Sequence, residues 1–306
     1  MRTALVTGAA GFIGRHMSAA LENAGYYVLG IDIDGAVYWD ALDLFNESPP
    51  SAEHFRMLPR GGFDVVVHCA AVVGGRAKID GASLDLAVNL ELDAALFRWA
   101  ARARPGRVVY ISSSAAYPVM LQTWDDARPL REPAITLHEP IIGMPDQLYG
   151  WSKLTGELLA MRAREAGVPV TVVRPFSGYG EDQSPDYPFA AFAARARNRE
   201  DPFTIWGSGD QVRDWVHVDD ICAAILACID GGVDGPVNIG TGRGTPMREL
   251  ARLMCAAAGY EPEFRVLPGQ PSGVAYRVAD VTRLREVYTP AVSLEEGVRR
   301  VFEERV

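Results

Sequence analysis

The sequence predicts an α/β fold: a doubly wound, Rossmann-like parallel sheet with a smaller α/β C-terminal domain. Over roughly the first 175 of the 306 residues, short apolar runs alternate with amphipathic stretches of helical period. A glycine-rich turn joins the first apolar run to the first helical stretch. Beyond this region glycine and proline become more frequent and the apolar segments shorten, which favours a second, smaller unit.

The predicted strands are buried on both faces, because each apolar run is short and rich in β-branched or aromatic side chains. They are Thr3–Thr7, Tyr27–Ile31, Asp64–Cys69, Arg107–Ser112 and Pro169–Arg174. The helical stretches between them are Gly11–Ala24, Leu84–Ala103 and Tyr149–Ala166. Strands that alternate with helices in this way form βαβ units on a parallel sheet.

Two later elements are expected to return to the first sheet, a helix at Asp219–Cys228 and a strand at Pro236–Ile239. We therefore expect a nucleotide-binding domain of residues 1–175 plus about 217–240. The remainder, about 176–216 plus 241–306, is expected to form a substrate-binding cap. Because ligands of open α/β sheets bind at the carboxyl ends of the strands, the cap should close over that edge.

Composition and charge exclude several classes of protein. The net charge of −9 disfavours nucleic acid as a partner, because phosphate backbones are bound by basic surfaces. The sequence contains no run of 18 apolar residues, and its N-terminus enters a strand directly. These features predict neither a membrane span nor a signal peptide, and we expect a cytoplasmic protein.

The four cysteines form neither a Cys-x-x-Cys pair nor a metal-ligand spacing with histidine. Cys69 falls in a predicted strand, and Cys222, Cys228 and Cys255 fall in helical patterns. The interpretation is four buried free thiols, as is usual in a reducing compartment, and no metal site.

The glycine-rich turn has the spacing of a site for a cofactor diphosphate. Gly8, Gly11 and Gly14 follow the pattern G-x-x-G-x-x-G, directly after a strand and at the start of a helix. Gly8 permits the tight turn, and Gly11 lets backbone N–H groups approach a diphosphate at the positive end of the helix dipole. Gly14 allows the helix to pack closely on the sheet. A merely structural strand–helix turn is the alternative.

Asp32 ends the second strand, 18 residues after Gly14, where a carboxylate can accept both ribose hydroxyls of an adenosine. The same carboxylate would repel a ribose phosphate by roughly 4 kcal/mol at about 4 Å. The sequence therefore predicts NAD rather than NADP as the cofactor. Asp34 is the alternative acceptor if the strand runs longer. Asp43-Leu44 has a spacing suited to holding the adenine, and a solvated loop is the alternative there.

Tyr149 and Lys153 have the i, i+4 spacing that places two side chains on one face of a helix. A tyrosine with a pKa near 10 is a poor base at neutral pH, and lowering that pKa by about 3 units requires roughly 4 kcal/mol of phenolate stabilisation. A lysine one turn away and a cationic nicotinamide ring can supply it. The run Ser112–Ser114, at the end of a predicted strand, adds hydroxyls that can hold a substrate oxygen.

With these residues the chain resembles the extended short-chain dehydrogenases/reductases, in their NAD-dependent nucleotide-sugar epimerase and dehydratase branch. Residues 7–14 resemble the T-G-x-x-G-F-I-G opening of that family, and residues 68–71 resemble its H-x-A-A motif. The resemblance covers essentially the whole chain. It implies that the cofactor is also contacted by Phe12, Ile13, Ala70, Ala71 and Asn89.

The resemblance also assigns roles to the catalytic residues. In the UDP-galactose 4-epimerase-like members the catalytic serine lies four positions before a tyrosine that here is Tyr117, which implies Ser113. Tyr149 is then the general acid/base, and Lys153 binds the nicotinamide ribose and tunes Tyr149. Ser113 and Tyr149 are also expected to contact the substrate.

Three residues resemble the family's ligands for a nucleoside diphosphate sugar, which is the implied substrate. Ser177 stands where the family's R-x-x-N-x-Y-G motif has an asparagine, so this contact differs here. Arg213 matches the arginine of the Q-x-R-D-x-x-x-V-x-D stretch, and Arg277 resembles a second diphosphate ligand. For either arginine a surface charge pair is the alternative. His217 is interpreted as a packed structural histidine.

The residues after Ser113 distinguish the branches of the family. Dehydratases carry an acidic residue there, whereas Ser114, Ala115 and Ala116 follow in this chain. GDP-mannose 3,5-epimerases and GDP-fucose synthases have a cysteine where this chain has Ala115. The expected reaction is therefore epimerisation through a transient 4-keto sugar, with base and sugar left open. The alternatives are an NAD(H)-dependent nucleotide-sugar oxidoreductase or dehydratase, and a non-enzymatic NAD-sensing scaffold.

Two further features have alternative interpretations. Residues 120–147, between the serine and the tyrosine, are a long insertion for the family and form either a lid over the sugar or an ordered surface loop. The resemblance implies a homodimer in which the helices Leu84–Ala103 and Tyr149–Ala166 form a four-helix interface. The residues alone fit a monomer with amphipathic helices equally well.

Overall fold

Six strands form one parallel sheet in the computed structural model, which describes residues 1–34, 39–47, 58–59, 62–74, 84, 87–139 and 141–303. They are β1 (Arg2–Thr7), β2 (Tyr26–Ile31), β3 (Val65–His68), β4 (Arg107–Ile111), β5 (Val170–Pro175) and β9 (Gly235–Ile239). Their order across the sheet is β2-β1-β3-β4-β5-β9. The chain runs outward from β1 to β2 and then returns past β1 to β3, so the direction of winding reverses beside β1.

Helices cover both faces of this sheet. They are α1 (Phe12–Asn23), α2 (Ala41–Phe45), α3 (Ala87–Ala103), α4 (Gln147–Glu165) and α6 (Val218–Asp230). One apolar core packs α1 and α6 on the sheet, and a second packs α2, α3 and α4 on the opposite face. Successive residues of β1 alternate between them, Val6 entering the first core and Leu5 the second. The predicted doubly wound fold is confirmed.

Residues 176–216 and 241–303 form smaller sheets and helices. They are β6 (Ser177–Tyr179), α5 (Pro188–Arg197), β7 (Phe203–Trp206), β8 (Val212–His217), β10 (Gly244–Pro246), α7 (Met247–Ala257), β11 (Phe264–Leu267), β12 (Tyr276–Arg277) and α8 (Leu294–Phe302). Strand β8 pairs with β6, β10 and β12, and β11 pairs with β7. A third apolar core lies within these residues alone, where α5, α7 and α8 pack around β7 and β8.

The strand predictions agree with the structure to within one residue at each end, and β9 pairs with β5 as expected. The helix predicted from Tyr149 begins two residues earlier, at Gln147, which has a φ of +58°. This left-handed residue is the first of the helix, and hydrophobic period carries no signal for it. The helix predicted from Leu84 is described from Ala87 onward, because residues 85–86 lie outside the described part of the chain.

The middle of the insertion at residues 120–147 packs against strand β9 of the main sheet and against Ala279. Leu130 is buried and forms an isolated bridge with Ala279, and Glu132 accepts a hydrogen bond from the Asn238 N–H at 2.9 Å. Asn238 also donates to the Leu130 carbonyl at 2.8 Å. These contacts favour an ordered segment for this part of the insertion; Pro140 lies outside the described residues.

The four cysteines are free thiols. Cys222, Cys228 and Cys255 are buried, whereas Cys69 is partly exposed. Of the helices that the structure describes, none has the length and apolar character needed to cross a membrane.

Candidate active site

The glycine-rich turn lies at the carboxyl end of β1, beside the reversal point of the sheet. Gly8 has a φ of +68°, and a β-carbon there would lie 2.6 Å from the Ala70 nitrogen. A β-carbon at Gly14 would overlap the Gly8 carbonyl. Gly11 immediately precedes α1, whose first N–H groups have no partner within the helix. The turn therefore presents backbone N–H groups, without large side chains, at a helix N-terminus. This is the geometry that binds diphosphates.

The residues after Gly11 attach this turn to the fold. Phe12 and Ile13 open α1 and pack partly buried against the first apolar core. A β-carbon at Gly180, after β6, would lie 3.0 Å from the Phe12 ring. Phe12 therefore also contacts the segment that follows β6.

Asp32 follows β2 directly and contacts the glycine-rich turn. Its carboxylate accepts hydrogen bonds from the Ala10 N–H at 2.8 Å and from the Asp34 N–H at 3.1 Å, while Asp34 itself is exposed. Asp43 lies partly exposed in the first turn of α2, and Leu44 is buried in the core. Of the acidic residues predicted near the adenosine, Asp32 is the one whose side chain bonds to the turn.

A second loop, residues 69–72, lines the turn from β3. The Ala70 N–H donates to the Thr7 hydroxyl at 3.2 Å, and Ala71 is partly exposed beside it. Asn89, buried on α3, accepts from the Val72 N–H at 2.6 Å and donates to the Val72 carbonyl at 2.9 Å. The bonds of Asn89 therefore fix the backbone of this loop.

Ser113, Tyr149 and Lys153 meet at the carboxyl end of β4. A side-chain hydrogen bond joins Ser113 to Tyr149. The Ser113 hydroxyl also accepts from the Ala115 N–H at 3.1 Å, which orients it. Lys153 is buried, and its ammonium donates to the Ile111 carbonyl at 3.0 Å.

The surroundings of this cluster shift the protonation of both ionisable groups. Burial raises the pKa of Tyr149, the hydrogen bond from Ser113 lowers it, Asp93 raises it and Arg277 lowers it. Burial lowers the pKa of Lys153, and the negative charge of Asp93 raises it. A phenolate at Tyr149 therefore depends on nearby cations and donors, because burial opposes it.

The two predicted diphosphate ligands lie side by side. Arg213 on β8 and Arg277 on β12 are register partners on neighbouring parallel strands. Arg213 donates to the Val212 carbonyl at 2.8 Å and to the Ser272 carbonyl at 3.0 Å. Two arginines on neighbouring strands can bind the oxygens of one diphosphate if both guanidinium groups turn towards it.

Arg277 connects this pair to the segment that precedes helix α4. Its guanidinium donates to the Asp146 carboxylate at 2.8 Å and to the Gln122 side-chain carbonyl at 2.5 Å. Asp146 is buried three residues before Tyr149, and Gln122 is buried in the insertion. The charge of Arg277 also lowers the pKa of Tyr149, so the candidate phosphate site and the candidate acid/base are linked electrostatically.

Two other predicted residues lie on β6 and at the end of β8. Ser177 begins β6 and is register partner of Trp215 on β8. His217 is 1% exposed, and its Nδ1 accepts from the Asp219 N–H at 3.2 Å, so it caps α6. This is the structural role predicted for His217.

Sequence reasoning missed a buried polar network beneath the catalytic helix. Glu157 on α4 accepts two bonds from the Arg174 guanidinium, at 2.6 and 2.8 Å, and one from the Ser112 hydroxyl at 2.5 Å. Arg174 also donates to the Tyr117 hydroxyl at 2.9 Å, and Tyr117 donates to Asn238 at 2.7 Å. The network joins β4, β5 and β9 to α4. Arg174 and Tyr117 belong to motifs of the family that the chain resembles. Their positions in the sequence do not indicate that they bond with Glu157 in one network.

Asp146, Gln122 and Asp93 were missed as well. Asp146 is one turn before Tyr149, so its position on the helix was a usable signal. Gln122 and Asp93 reach the site only through tertiary contacts, and nothing in their local sequence distinguishes them.

Residues 4–240 match the model of the NAD dependent epimerase/dehydratase family. A dTDP-4-dehydro-6-deoxy-D-allose reductase of Streptomyces bikiniensis is 31% identical over 94% of this chain and 90% of its own length. A UDP-glucose 4-epimerase of Mycolicibacterium smegmatis is 30% identical over 99% of this chain and 98% of its own length.

A solved structure shares this fold over nearly the entire chain. The UDP-glucose 4-epimerase of Thermus thermophilus, crystallised in complex with NAD, superposes with a TM-score of 0.81. It is 25% identical, and the match covers 99% of this chain and 100% of that one.

Proposed function

This chain belongs to the NAD-dependent epimerase/dehydratase family, and we propose that it epimerises C4 of a nucleoside diphosphate sugar through a transient 4-keto sugar. The Ser113–Tyr149–Lys153 cluster carries the proposal. The turn after Ser113 presents Ala115 and Ala116, both buried, and no carboxylate or thiol. Exchange of hydroxyl and ketone at one carbon needs one acid/base residue, whereas dehydration needs a further one at the neighbouring carbon.

The residues around the glycine-rich turn fit the cofactor of this NAD-dependent family. In the proposal Gly8, Gly11 and Gly14 hold the diphosphate, because a side chain at Gly8 or Gly14 would collide with neighbouring backbone. Asp32 accepts the adenosine ribose hydroxyls, and Lys153 binds the nicotinamide ribose. When bound, NAD supplies the hydride acceptor and donor for C4.

Tyr149 performs the proton transfer in the proposed reaction. It takes the proton of the C4 hydroxyl and later returns a proton to the same oxygen. Ser113 donates to that oxygen and holds it beside Tyr149. Lys153 stabilises the phenolate of Tyr149 by its charge, which burial of Tyr149 makes necessary.

Arg213 and Arg277 are the proposed ligands of the substrate diphosphate. Their register on neighbouring strands supports a joint role, and the Asp146 carboxylate holds the Arg277 guanidinium in one orientation. Ser177, on the strand beside β8, is the proposed sugar-side contact. Residues 176–216 and 241–306 would then be the substrate-binding cap, and residues 1–175 with 217–240 the cofactor domain.

A reductase of a 4-keto nucleotide sugar is the second candidate function. It is favoured by the 31% identity to a dTDP-4-dehydro-6-deoxy-D-allose reductase. Steady consumption of NADH with a 4-keto sugar would establish this function, because an epimerase regenerates its cofactor in every turnover.

The decisive experiment for the epimerase combines cofactor analysis with one substitution. Denatured, purified protein is expected to release about one NAD(H) per chain. Tyr149→Phe is expected to lower the epimerisation rate by about 10²–10⁴-fold on whichever of the UDP, GDP, dTDP and CDP sugars is turned over. Tyr27→Phe, at an exposed tyrosine, is the matched control. Release of no cofactor together with full activity of Tyr149→Phe would refute the proposal.

The chain is further proposed to form a homodimer through α3 and α4. Both helices expose apolar side chains on their outer faces, namely Val88, Leu90, Trp151 and Leu158. Light scattering of the purified protein tests this: a mass of one chain at micromolar concentration contradicts it. The cytoplasm remains the expected compartment, because four free thiols suit a reducing environment.

A further inference from the structure

Asp93 is a buried carboxylate on α3 that the proposed reaction does not use. It is 1% exposed. Its Oδ2 accepts a hydrogen bond from the Tyr110 hydroxyl at 2.6 Å, and its Oδ1 lies 3.4 Å from the Nε2 of His68. A carboxylate in such a place costs several kcal/mol unless a positive charge is near.

Asp93 contacts two side chains, the phenol of Tyr110 and the imidazole of His68. Burial raises the pKa of Tyr110 well above its usual value, so this phenol keeps its proton. The Nδ1 of His68 lies 2.8 Å from the Thr7 hydroxyl, which accepts the Ala70 N–H. His68 therefore lies between Thr7 and Asp93, and neither contact brings a lysine or an arginine to the carboxylate.

Lys153 is the cation on the same side of the sheet. Its ammonium lies 5.3 Å from the centroid of the Tyr110 ring, whose hydroxyl binds Asp93. Helix α4 approaches Asp93 closely at Gly156, one turn after Lys153. A β-carbon at Gly156 would lie 2.5 Å from Asp93 Oδ2. Asp93 therefore abuts α4 within one turn of Lys153.

Lysine is a rare residue in this chain. Lys78 and Lys153 are the two lysines among 30 lysine and arginine residues. An ammonium is compact and can lose its proton, whereas a guanidinium stays charged wherever it is buried. A buried lysine is the cation that needs a counter-charge to remain protonated.

We propose that Asp93 is a positioning residue whose buried negative charge keeps Lys153 an ammonium ion beside Tyr149. The role of Lys153 rests on the proposed function, which this inference deepens. Burial lowers the pKa of Lys153, and the charge of Asp93 opposes that effect. The same charge raises the pKa of Tyr149. Asp93 therefore moves to higher pH the range in which Lys153 is charged and Tyr149 can exchange its proton.

Other ionisable groups face the pair from neighbouring elements. Burial raises the pKa of Cys69, after β3, to about 12, so it faces Lys153 as a neutral thiol. Arg277, from β12, is partnered by Asp146 and favours the phenolate of Tyr149. Neither supplies a negative charge to Lys153 at neutral pH.

The test reads the titration of Lys153 directly. Because the chain has two lysines, protein labelled with ¹³C-lysine gives two ε-CH₂ signals, and Lys78→Arg leaves that of Lys153. Asp93→Asn keeps the shape of the side chain and an oxygen for Tyr110 but removes the charge. The midpoint of Lys153 is expected to fall by about one pH unit, a tenfold change in its proton affinity. The alkaline limb of kcat/KM should move to lower pH with it.

Tyr110→Phe is the matched control, because it removes the hydrogen bond and keeps the carboxylate. Its Lys153 midpoint is expected to match that of the wild type. An unchanged midpoint in Asp93→Asn, or an equal fall in Tyr110→Phe, would overturn the proposal. Asp93→Ser, smaller and still polar, repeats the measurement if Asp93→Asn does not fold. The NMR titration needs no substrate, so a wild type without epimerase activity refutes the proposed function and leaves this test intact.

Discussion

Two buried carboxylates, Glu157 on helix α4 and Asp93 on the neighbouring α3, have different partners. Glu157, 3% exposed, receives two hydrogen bonds from the Arg174 guanidinium and one from the Ser112 hydroxyl. Asp93, 1% exposed, receives one hydrogen bond from a neutral phenol. Glu157 has a guanidinium at hydrogen-bond distance, whereas Asp93 has a phenol and, at 3.4 Å, the Nε2 of His68.

This difference separates a structural role from an electrostatic one. A carboxylate and a guanidinium in contact form a dipole, and the field of a dipole fades quickly with distance. A carboxylate with no guanidinium or ammonium at contact distance keeps a potential that falls only as the inverse of the distance. Glu157 therefore stabilises the junction of α4 with β4 and β5, while Asp93 acts on Lys153 and Tyr149 although it bonds to neither in the described structure.

The largest effect is expected from Glu157→Gln, which tests the structural role of Glu157. The substitution leaves the Arg174 charge buried without its partner, so the free energy of unfolding should fall by about 3–5 kcal/mol. Denaturant unfolding monitored by circular dichroism measures it. Glu165→Gln is the control, because this residue is paired with Arg162 on the exposed end of the same helix and should cost less than about 1 kcal/mol. Equal losses in the two variants would contradict the structural role.

Gly156→Ala tests the close approach of α4 to Asp93. The added β-carbon would overlap the Tyr110 hydroxyl and lie 2.5 Å from Asp93 Oδ2, so α4 or Tyr110 must shift. We expect a loss of about 1–3 kcal/mol in the free energy of unfolding, together with a lower kcat from displacement of Lys153. Gly269→Ala, where a β-carbon meets no atom within 4 Å, should change neither quantity. A Gly156→Ala protein with wild-type stability would mean that the contact is looser than described.

The smallest effect is expected at Asp182, an acidic residue near the surface. It pairs with Arg15 at 2.9 Å and His16 at 3.0 Å, joining α1 to the segment after β6. Asp182→Asn should lower the free energy of unfolding by less than about 1 kcal/mol, because water and salt screen the charges. A larger loss that persists in about 1 M salt would show that burial does not decide how much each of these carboxylates contributes to the free energy of unfolding.

The effect at Asp182 also has a predictable pH dependence. Partial burial raises the pKa of Asp182, but hydrogen bonds from Arg15 and His16 outweigh it and hold the pKa below the usual value of 3.8. A carboxyl group whose pKa is lowered in the folded state stabilises the protein above its usual pKa and loses that contribution as pH falls through the folded value. The difference between wild type and Asp182→Asn should therefore shrink below about pH 3.8, as read from unfolding curves at a series of pH values.

The sequence by itself determined the central sheet and the spacing of the candidate catalytic pair. Strands buried on both faces leave continuous apolar runs, and Tyr149 and Lys153 share a helix face because they are four residues apart. The turn at Gly8, Gly11 and Gly14 could be predicted for the same reason. A tight turn and close packing restrict residues that are neighbours in the chain.

Only the tertiary structure decided which charges meet. Gln122 and Arg277 are 155 residues apart in the chain, and Arg213 meets Arg277 because β12 pairs with β8. Asp93 reads as one polar residue in an amphipathic helix, yet it faces the sheet and approaches α4. The energy of a charge depends on its burial and on partners brought in from distant segments, and local sequence records neither.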